Sequence, residues 1–400
     1  MSHPVFKVRD SASASVAARH PWLLANSLQK TVQPIAKDSV VDLVDSKQRF
    51  VGRGIFNPDS KIAVRVYTWD QSEQIDAAFF RSRIRQAIAT RGNFSSAEGQ
   101  RGYTARRLIF SEADRLSGLI VEAYGPYVVL QITASGLMAR LDDLVTIVQE
   151  ELAPQGILLL VDESTAAREG IAARHEVLAG EIPSDPLEIV ENDVLFYVDL
   201  MTGQKTGYYL DQRQNRMAAV RWIEEDARVL DVCSYSGAFA CTIAKHKPQS
   251  NVTAIDASQK AIEMAGRNAE LNGLGNIQFE CNDFYSALDG RLERNELYSA
   301  IILDPPKMAG ARSQVQRALA AYHRLNFLAA RLLKPGGVLV TCSCSGRVSK
   351  EDFRQMLLGV SKRTGREIQI LEQRGAADDH PTIINCPETD YLKCFVVKIF

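Results

Sequence analysis

From Val40 to Thr68 short β-rich runs alternate apolar and polar residues, and they break at Asp45-Ser46, Gly52, Gly54 and Asn57-Pro58. A period of two interrupted by turn formers reads as strand, turn, strand. With a short helix expected around Trp22–Leu28, the pattern predicts a small β-barrel of about 70 residues ending near Thr68–Ser72. The period then changes. Ile75, Phe79, Ile84 and Ile88 fall near helical spacing with Arg81, Arg83, Arg85 and Arg91 among them, which predicts a basic amphipathic helix over 75–92. Strand text resumes between Arg107 and Ile132, with a turn at Tyr124-Gly125-Pro126; a helical pattern follows at 137–153 and a strand at 156–161. These predict a separate α+β module running to about Asp185.

Beyond Glu188 strands and helices alternate regularly, as in an α/β domain with a largely parallel sheet. Strands are expected at 228–233, 252–255, 277–281, 297–303, 337–342, 367–371 and 394–400. Ser258 is a good N-cap for the helix after the second of these, and Asn272-Gly273 a good stop; another helix should end at Lys334-Pro335-Gly336-Gly337. The expected organisation is therefore three units, 1–72, 73–187 and 188–400.

Composition narrows the class. Over 400 residues, 46% hydrophobic and 24% charged, the chain is neither collagen-like nor disordered nor a disulfide scaffold. Its longest aliphatic run, Ile157 to Val161, is far short of the ~20 residues of a membrane helix, and the N-terminus has no apolar stretch of the secretory kind. A cytoplasmic protein without a membrane partner is expected. Seven cysteines without a C-x-x-C pair predict reduced thiols. A zinc site from Cys342-x-Cys344, Cys386 and Cys394 lacks ligand spacing, so no metal is expected. Residues 1–110 carry 17 Lys+Arg against 9 Asp+Glu, in a chain whose net charge is −1. A basic front end points modestly to a polyanionic partner.

In a doubly wound sheet the ligand lies outside the C-terminal ends of the strands, so residues just after strands matter most. The first strand of the last unit runs into Asp231-Val232-Cys233-Ser234-Tyr235-Ser236-Gly237. The second ends at Asp256, 19 residues beyond Gly237, where a carboxylate can take two hydrogen bonds from a ribose diol. The single glycine does not provide the close backbone approach that a pyrophosphate needs. Asn282-Asp283-Phe284 follows the third strand, offering an acid beside an apolar ring for an adenine, and Asp304-Pro305-Pro306-Lys307 follows the fourth. Taken alone, each Asp is as readily a helix cap or turn residue. Together they resemble the class I methyltransferases that use S-adenosylmethionine (SAM).

Enzymes of that class that methylate exocyclic amines have an aromatic residue after D-P-P, and here Lys307 stands in its place. The fifth strand instead ends in Thr341-Cys342-Ser343-Cys344-Ser345. A strand cysteine alone is usually a small core hydrophobe. At this position a thiol can add to carbon 6 of a pyrimidine, which makes carbon 5 nucleophilic toward a methyl donor. Cys344, nearer the strand end, is favoured and Cys342 competes. Asp304 is the candidate to support ring nitrogen 3. Lys307 is the candidate to lower the thiol pKa or hold a phosphate.

The segments Gln204–Arg216, Cys233–Phe239, D-P-P-K, T-C-S-C-S and Asp378–Phe395 resemble the RlmI-type ribosomal RNA large-subunit methyltransferases over essentially the whole chain. The resemblance implies an N-terminal PUA β-barrel that binds RNA, here carried by Arg19–Trp22 and Val51–Val66, then a central α+β domain and a class I Rossmann-like methyltransferase domain. It implies 5-methylcytosine formation in 23S ribosomal RNA or a large-subunit precursor, with SAM as cofactor; a second copy of the chain is a further candidate partner. It carries the nucleophile to Cys344, and the SAM site to the Cys233–Gly237 loop, Asp256 and Asp283. It also brings Asp211, Gln212 and Arg213 toward the cofactor. One departure stands out: two-cysteine RNA cytosine methyltransferases have a thiol after the D-P-P-like motif, where this chain has Lys307 and Met308. The base that removes the carbon-5 proton is thus unassigned. The competing readings are a base-amine methyltransferase of rRNA and a non-catalytic RNA-binding assembly factor.

Overall fold

A computed structural model describes residues 3–31, 34–92, 104–201 and 207–400. The alternating front segment forms strands β1 (Val5–Lys7), β2 (Trp22–Leu24), β3 (Val40–Val44), β4 (Phe50–Phe56) and β5 (Ile62–Thr68), in spatial order β1-β3-β4-β5-β2. A bridge between Val8 and Leu28 joins the ends of the two edge strands and closes the barrel. Leu23, Val41, Leu43 and Val64 fill it. The helix expected at Trp22–Leu28 is absent: β2 and one 3-10 turn, Ala25–Ser27, occupy that stretch. Tertiary pairing overrides propensity here, because Leu23 lies opposite Val64 and is 1% exposed.

The second sheet has the order β10-β9-β8-β7-β6, built from β6 (Ala105–Phe110), β7 (Leu119–Tyr124), β8 (Tyr127–Ile132), β9 (Gly156–Val161) and β10 (Arg174–Gly180). Helices Ala77–Thr90 and Leu141–Leu152 pack on it through Phe80, Ile84, Leu144 and Ile147. The helix at 77–90 starts where the Asp76 side chain caps Phe79 N. Its arginines are not a free cationic stripe. Arg81 and Arg85 pair with Glu151, Arg83 with Glu73, and Arg91 with Asp114. Four of the front-end arginines are thereby paired with carboxylates of the protein itself.

Ile55 and Tyr67 of the barrel belong to the same apolar cluster as this second sheet. Beside them runs a buried polar seam: Arg65 bonds Glu112 at 3.2 Å and Glu169 at 3.0 Å, Trp22 Nε1 donates to Glu112, and Asn57 and Ser60 donate to Glu169. The barrel is welded to its neighbour rather than tethered to it.

An unanticipated hairpin, β11 (Leu187–Glu191) and β12 (Val194–Val198), turns at Asn192 and Asp193, both at positive φ, as a two-residue hairpin turn requires. The seven expected strands of the last unit are present as β13 (Arg228–Val232), β14 (Asn251–Asp256), β15 (Ile277–Cys281), β16 (Tyr298–Leu303), β17 (Leu333–Ser343), β18 (Ile368–Arg374) and β19 (Lys393–Ile399). They form one sheet of order β15-β14-β13-β16-β17-β19-β18, parallel from β15 to β17, with β19 antiparallel to both its neighbours. The strand order reverses beside β13, so a crevice opens at the C-terminal ends of β13 to β17. Among the described residues no helix is long and apolar enough to cross a membrane.

Candidate active site

The loop after β13 is built to expose its polar edge. Cys233, Tyr235 and Gly237 all have positive φ. Gly237 is obligatory, since a Cβ there would stand 2.9 Å from that of Ala265. The twisted backbone lets Tyr235 N donate to Asp256 Oδ2 at 2.9 Å, while Ser258 N donates to Oδ1 at 2.9 Å. The Asp256 carboxylate is thus aimed by two backbone donors.

Asp231 is fully buried at the end of β13. Its Oδ2 accepts from Ala240 N at 3.1 Å, whereas its Oδ1 and the Ser234 and Ser236 hydroxyls are buried without a protein partner. Burial, then the charges of Asp304 and Asp256, push the Asp231 carboxyl up to about 8. Burial and the four carboxylates Asp256, Asp304, Asp231 and Asp283 likewise raise the Cys233 thiol. An acid cluster in which burial and like charge outweigh the nearby Arg216, and which holds buried polar atoms with no bond among the described residues, fits a ligand bearing positive charge. SAM carries a sulfonium and an ammonium, so these residues fit it, whereas an anionic dinucleotide would meet repulsion.

Asp283 is exposed, and its Oδ1 caps the helix Phe284–Glu293 through Tyr285 N and Ser286 N, each at 3.0 Å. Capping and ligand contact are compatible, because the carboxylate has a second oxygen. Asn282 is exposed beside it and ties back through its backbone N to Asp256 O. Gln212 lies in the 3-10 turn Leu210–Gln212 and donates to Asp304 Oδ2 at 3.0 Å; Asp211 accepts from the Tyr391 hydroxyl. Both therefore reach the crevice. Arg213 does not: it is buried against Asp379 at 2.8 Å and Ala105 O at 3.2 Å, locking the second sheet to the third. Residues 204–206, the start of the segment that first suggested this approach, lie outside the described residues.

The two candidate thiols separate clearly. Cys342 is fully buried in β17, opposite Cys394 and packed with Val340 and Val396. Its neighbour Cys394 and burial hold its thiol well above the usual range. Cys344, past the strand end, is partly exposed. Around it stand Tyr209, Tyr391, Tyr322 and Lys393, each of which is close enough to feel its charge. The Ser345 hydroxyl accepts from Met308 N and Ala309 N at 3.1 Å each and meets the Tyr322 hydroxyl at 3.0 Å, fastening the D-P-P loop to the exit of β17. Lys307 is exposed. The lysine buried beside Cys344 is instead Lys393, 1% exposed, whose Nζ donates to Ser345 O at 2.6 Å and Tyr391 O at 2.8 Å. Tyr209, Tyr391 and Lys393 were not singled out from the sequence because residues before β13 and at the start of β19 have no strand-end signature; the antiparallel β19 brings in Tyr391 and Lys393, and the turn Leu210–Gln212 brings in Tyr209.

All seven cysteines are free. His20, Cys386 and Glu388 bring metal-type donors within 4.8 Å of one another, but His20 Nδ1 accepts from Trp22 N at 3.1 Å. That bond leaves the proton on Nε2, which donates to Glu388 at 3.2 Å, so His20 has no lone pair to offer a metal.

Sheet order and an acid-lined crevice at the strand switch define a class I SAM-dependent methyltransferase, carried behind a small β-barrel. Residues 6–69 match the PUA-like domain family and residues 129–388 the S-adenosylmethionine-dependent methyltransferase family. The second match begins within β8, so it takes in part of the middle sheet. Ribosomal RNA large subunit methyltransferase I of Klebsiella pneumoniae (strain 342) is 35% identical over 387 residues, covering 96% of each chain. The protein of the same name from Salmonella newport is 35% identical over 399 residues, covering 99% of this chain and 98% of its own. The chain belongs to that family. Its fold is shared with a methyltransferase solved with SAH, at TM-score 0.84 and 20% identity over 100% of both chains. It is also shared with a SAM-dependent methyltransferase from Streptococcus mutans, at TM-score 0.83 and 20% identity over 99% of this chain and 100% of that one.

Proposed function

We propose that the protein methylates carbon 5 of a cytosine in large-subunit (23S) ribosomal RNA through a covalent bond to Cys344. The observation that carries this reading is the placement of one partly exposed thiol at the exit of β17, beside an acidic crevice suited to SAM, while the alternative thiol, Cys342, is sealed in the sheet. SAM supplies the electrophilic methyl group. Cys344 as thiolate adds to carbon 6, so that carbon 5 gains the electron pair that takes the methyl group as the sulfonium leaves as a neutral thioether; transfer of the carbon-5 proton to water or a carboxylate then expels the thiolate. Asp304, which accepts from Gln212, is the group that supports ring nitrogen 3. Asp231, Ser234, Tyr235, Gly237, Asp256, Asn282 and Asp283 form the cofactor cradle, with Asp211 and Gln212 closing it.

Units 1–72, 73–187 and 188–400 would then bind RNA, brace the barrel and carry the chemistry, respectively, in the cytoplasm where rRNA is made. The target base must be flipped or single-stranded to reach the thiol. Large-subunit rRNA transcribed with 5-fluorocytidine tests the reading, because fluorine cannot leave as a proton does. An adduct surviving denaturing electrophoresis is expected in wild type and Cys342→Ala and none in Cys344→Ala. The reverse pair moves the nucleophile to Cys342. No adduct at all, with a methylated exocyclic amine in the nucleoside mass spectrum, favours base-amine chemistry; no methylated nucleoside whatever leaves the assembly-factor reading.

A further inference from the structure

Lys393 is a cation in a place where cations are costly. It sits at the first residue of β19, 1% exposed, and two of its three ammonium hydrogens are engaged by the carbonyls of Ser345 and Tyr391. Both residues bear on the thiol. Ser345 follows Cys344 directly, and the Tyr391 side chain is among the groups that feel its charge. A buried ammonium is retained only where something compensates its desolvation. Of the ionisable groups around Lys393, Cys344 acts on it most strongly, ahead of Asp390, Lys350 and Asp352; Asp390 is itself paired with Lys350 at 2.7 Å.

We infer that Lys393 is the positioning residue for Cys344: its ammonium holds the Ser345 carbonyl, fixes the turn that presents the thiol, and stabilises the thiolate by its charge. The inference rests on the reading of Cys344 as the nucleophile. The other groups facing this corner cannot do the task. From the turn before β13 come Tyr209 and Asp211, from the exit of β16 Asp304, from the helix Val315–Leu332 Tyr322, and from the run into β19 Tyr391. All of these are neutral or anionic, so each leaves a thiolate unaided or opposes it; the two further cations near this corner, Arg107 and Lys350, are paired with Glu122 and Asp390. Burial lowers Lys393 to about 8, so the cation is present below that pH and is lost above it. The thiolate is therefore favoured most in the neutral range, where it has to act.

The test reads the thiol itself. Full-length protein without RNA or SAM is alkylated with iodoacetamide across pH 5.5–10, and modification of the Cys344 peptide is followed by mass spectrometry. In wild type the rate midpoint should fall below the ordinary thiol value of about 8.5. Lys393→Gln keeps a donor for one carbonyl but removes the charge, and should raise the midpoint by about one unit, so alkylation at pH 7 slows roughly tenfold. Lys393→Arg should keep it low. A wild-type midpoint at or above about 8.5 overturns the inference without any variant. So does a Lys393→Gln protein of native circular dichroism whose midpoint is unmoved. Because alkylation needs no RNA, the two claims fail separately. A depressed midpoint without a fluorocytidine adduct overturns the nucleophile reading alone, and an adduct with an ordinary midpoint overturns the lysine's role alone.

Discussion

Acidic side chains are buried in two regions of this protein, to opposite effect. In the seam between barrel and second sheet, Glu112 is almost wholly buried, yet its carboxyl is held below the usual range: burial pushes it up, but Arg65, Ser117, Ser111 and Trp22 outweigh that. At the crevice, Asp231 is equally buried, and burial with the charges of Asp304 and Asp256 outweighs the Ala240 amide and Arg216, so it is driven up to about 8. A buried carboxylate with its cation alongside is finished structure. One driven up by its neighbours is what a site for a cationic ligand requires, which is the role proposed for Asp231.

The largest effect should come from breaking the finished half. Arg65→Met leaves Glu112 and Glu169 buried without their shared guanidinium and should cost about 3–5 kcal/mol of stability, read as a lowered midpoint of urea unfolding. Replacing all three by apolar residues of similar volume should restore most of it, which a purely local packing defect would not allow. The same seam means that a chain starting near Ser72 would expose Tyr67's apolar partners and strand Glu112 and Glu169. RNA affinity of the barrel is therefore better probed by surface substitutions in the full chain.

Next, Asp256→Ala should weaken SAM at least tenfold by calorimetry, since it removes charge-assisted ribose bonds worth ~1.5–3 kcal/mol each and frees the Tyr235 and Ser258 amides. Unchanged affinity would remove Asp256 from the cradle. A smaller, more diagnostic effect concerns pH. Asp231 is raised from 3.8 to about 8, so the free protein keeps its proton below about 8 and a cationic ligand must expel it. SAM affinity should therefore rise with pH from 6 to 8, by less than tenfold per unit, and level off above; Asp231→Asn should flatten the profile. Proton release measured in buffers of different ionisation enthalpy gives an independent reading. The smallest effect is expected at Lys307. Being exposed, it should contribute at most one phosphate contact, so Lys307→Ala should reduce the salt dependence of RNA binding by about one counterion and leave Cys344 alkylation unchanged.

Much of this was legible before any coordinates. Seven strands of the last sheet, the Ser258 cap, the single-glycine loop and the acids after successive strands follow from local pattern, because hydrophobic period, caps and strand-end positions are written in consecutive residues. So was the class of cofactor, since one glycine and spaced acids exclude a pyrophosphate site. What escaped was whatever depends on residues far apart in sequence. Trp22–Leu24 has helical text but becomes a strand because β5 offers it an edge. The arginines of 81–91 read as the basic face of an amphipathic helix, but their partners Glu73, Asp114 and Glu151 could be found only in space. Arg213 sits in a cofactor-like motif and clamps Asp379. Of two cysteines two residues apart, Cys344 was favoured by its place at the strand end, but only the structure shows Cys342 sealed in the sheet and Cys344 partly exposed. A second lysine, Lys393, is brought to that corner by an antiparallel last strand. Charge, burial and reactivity are properties of neighbours in space, and the chain by itself names only neighbours in sequence.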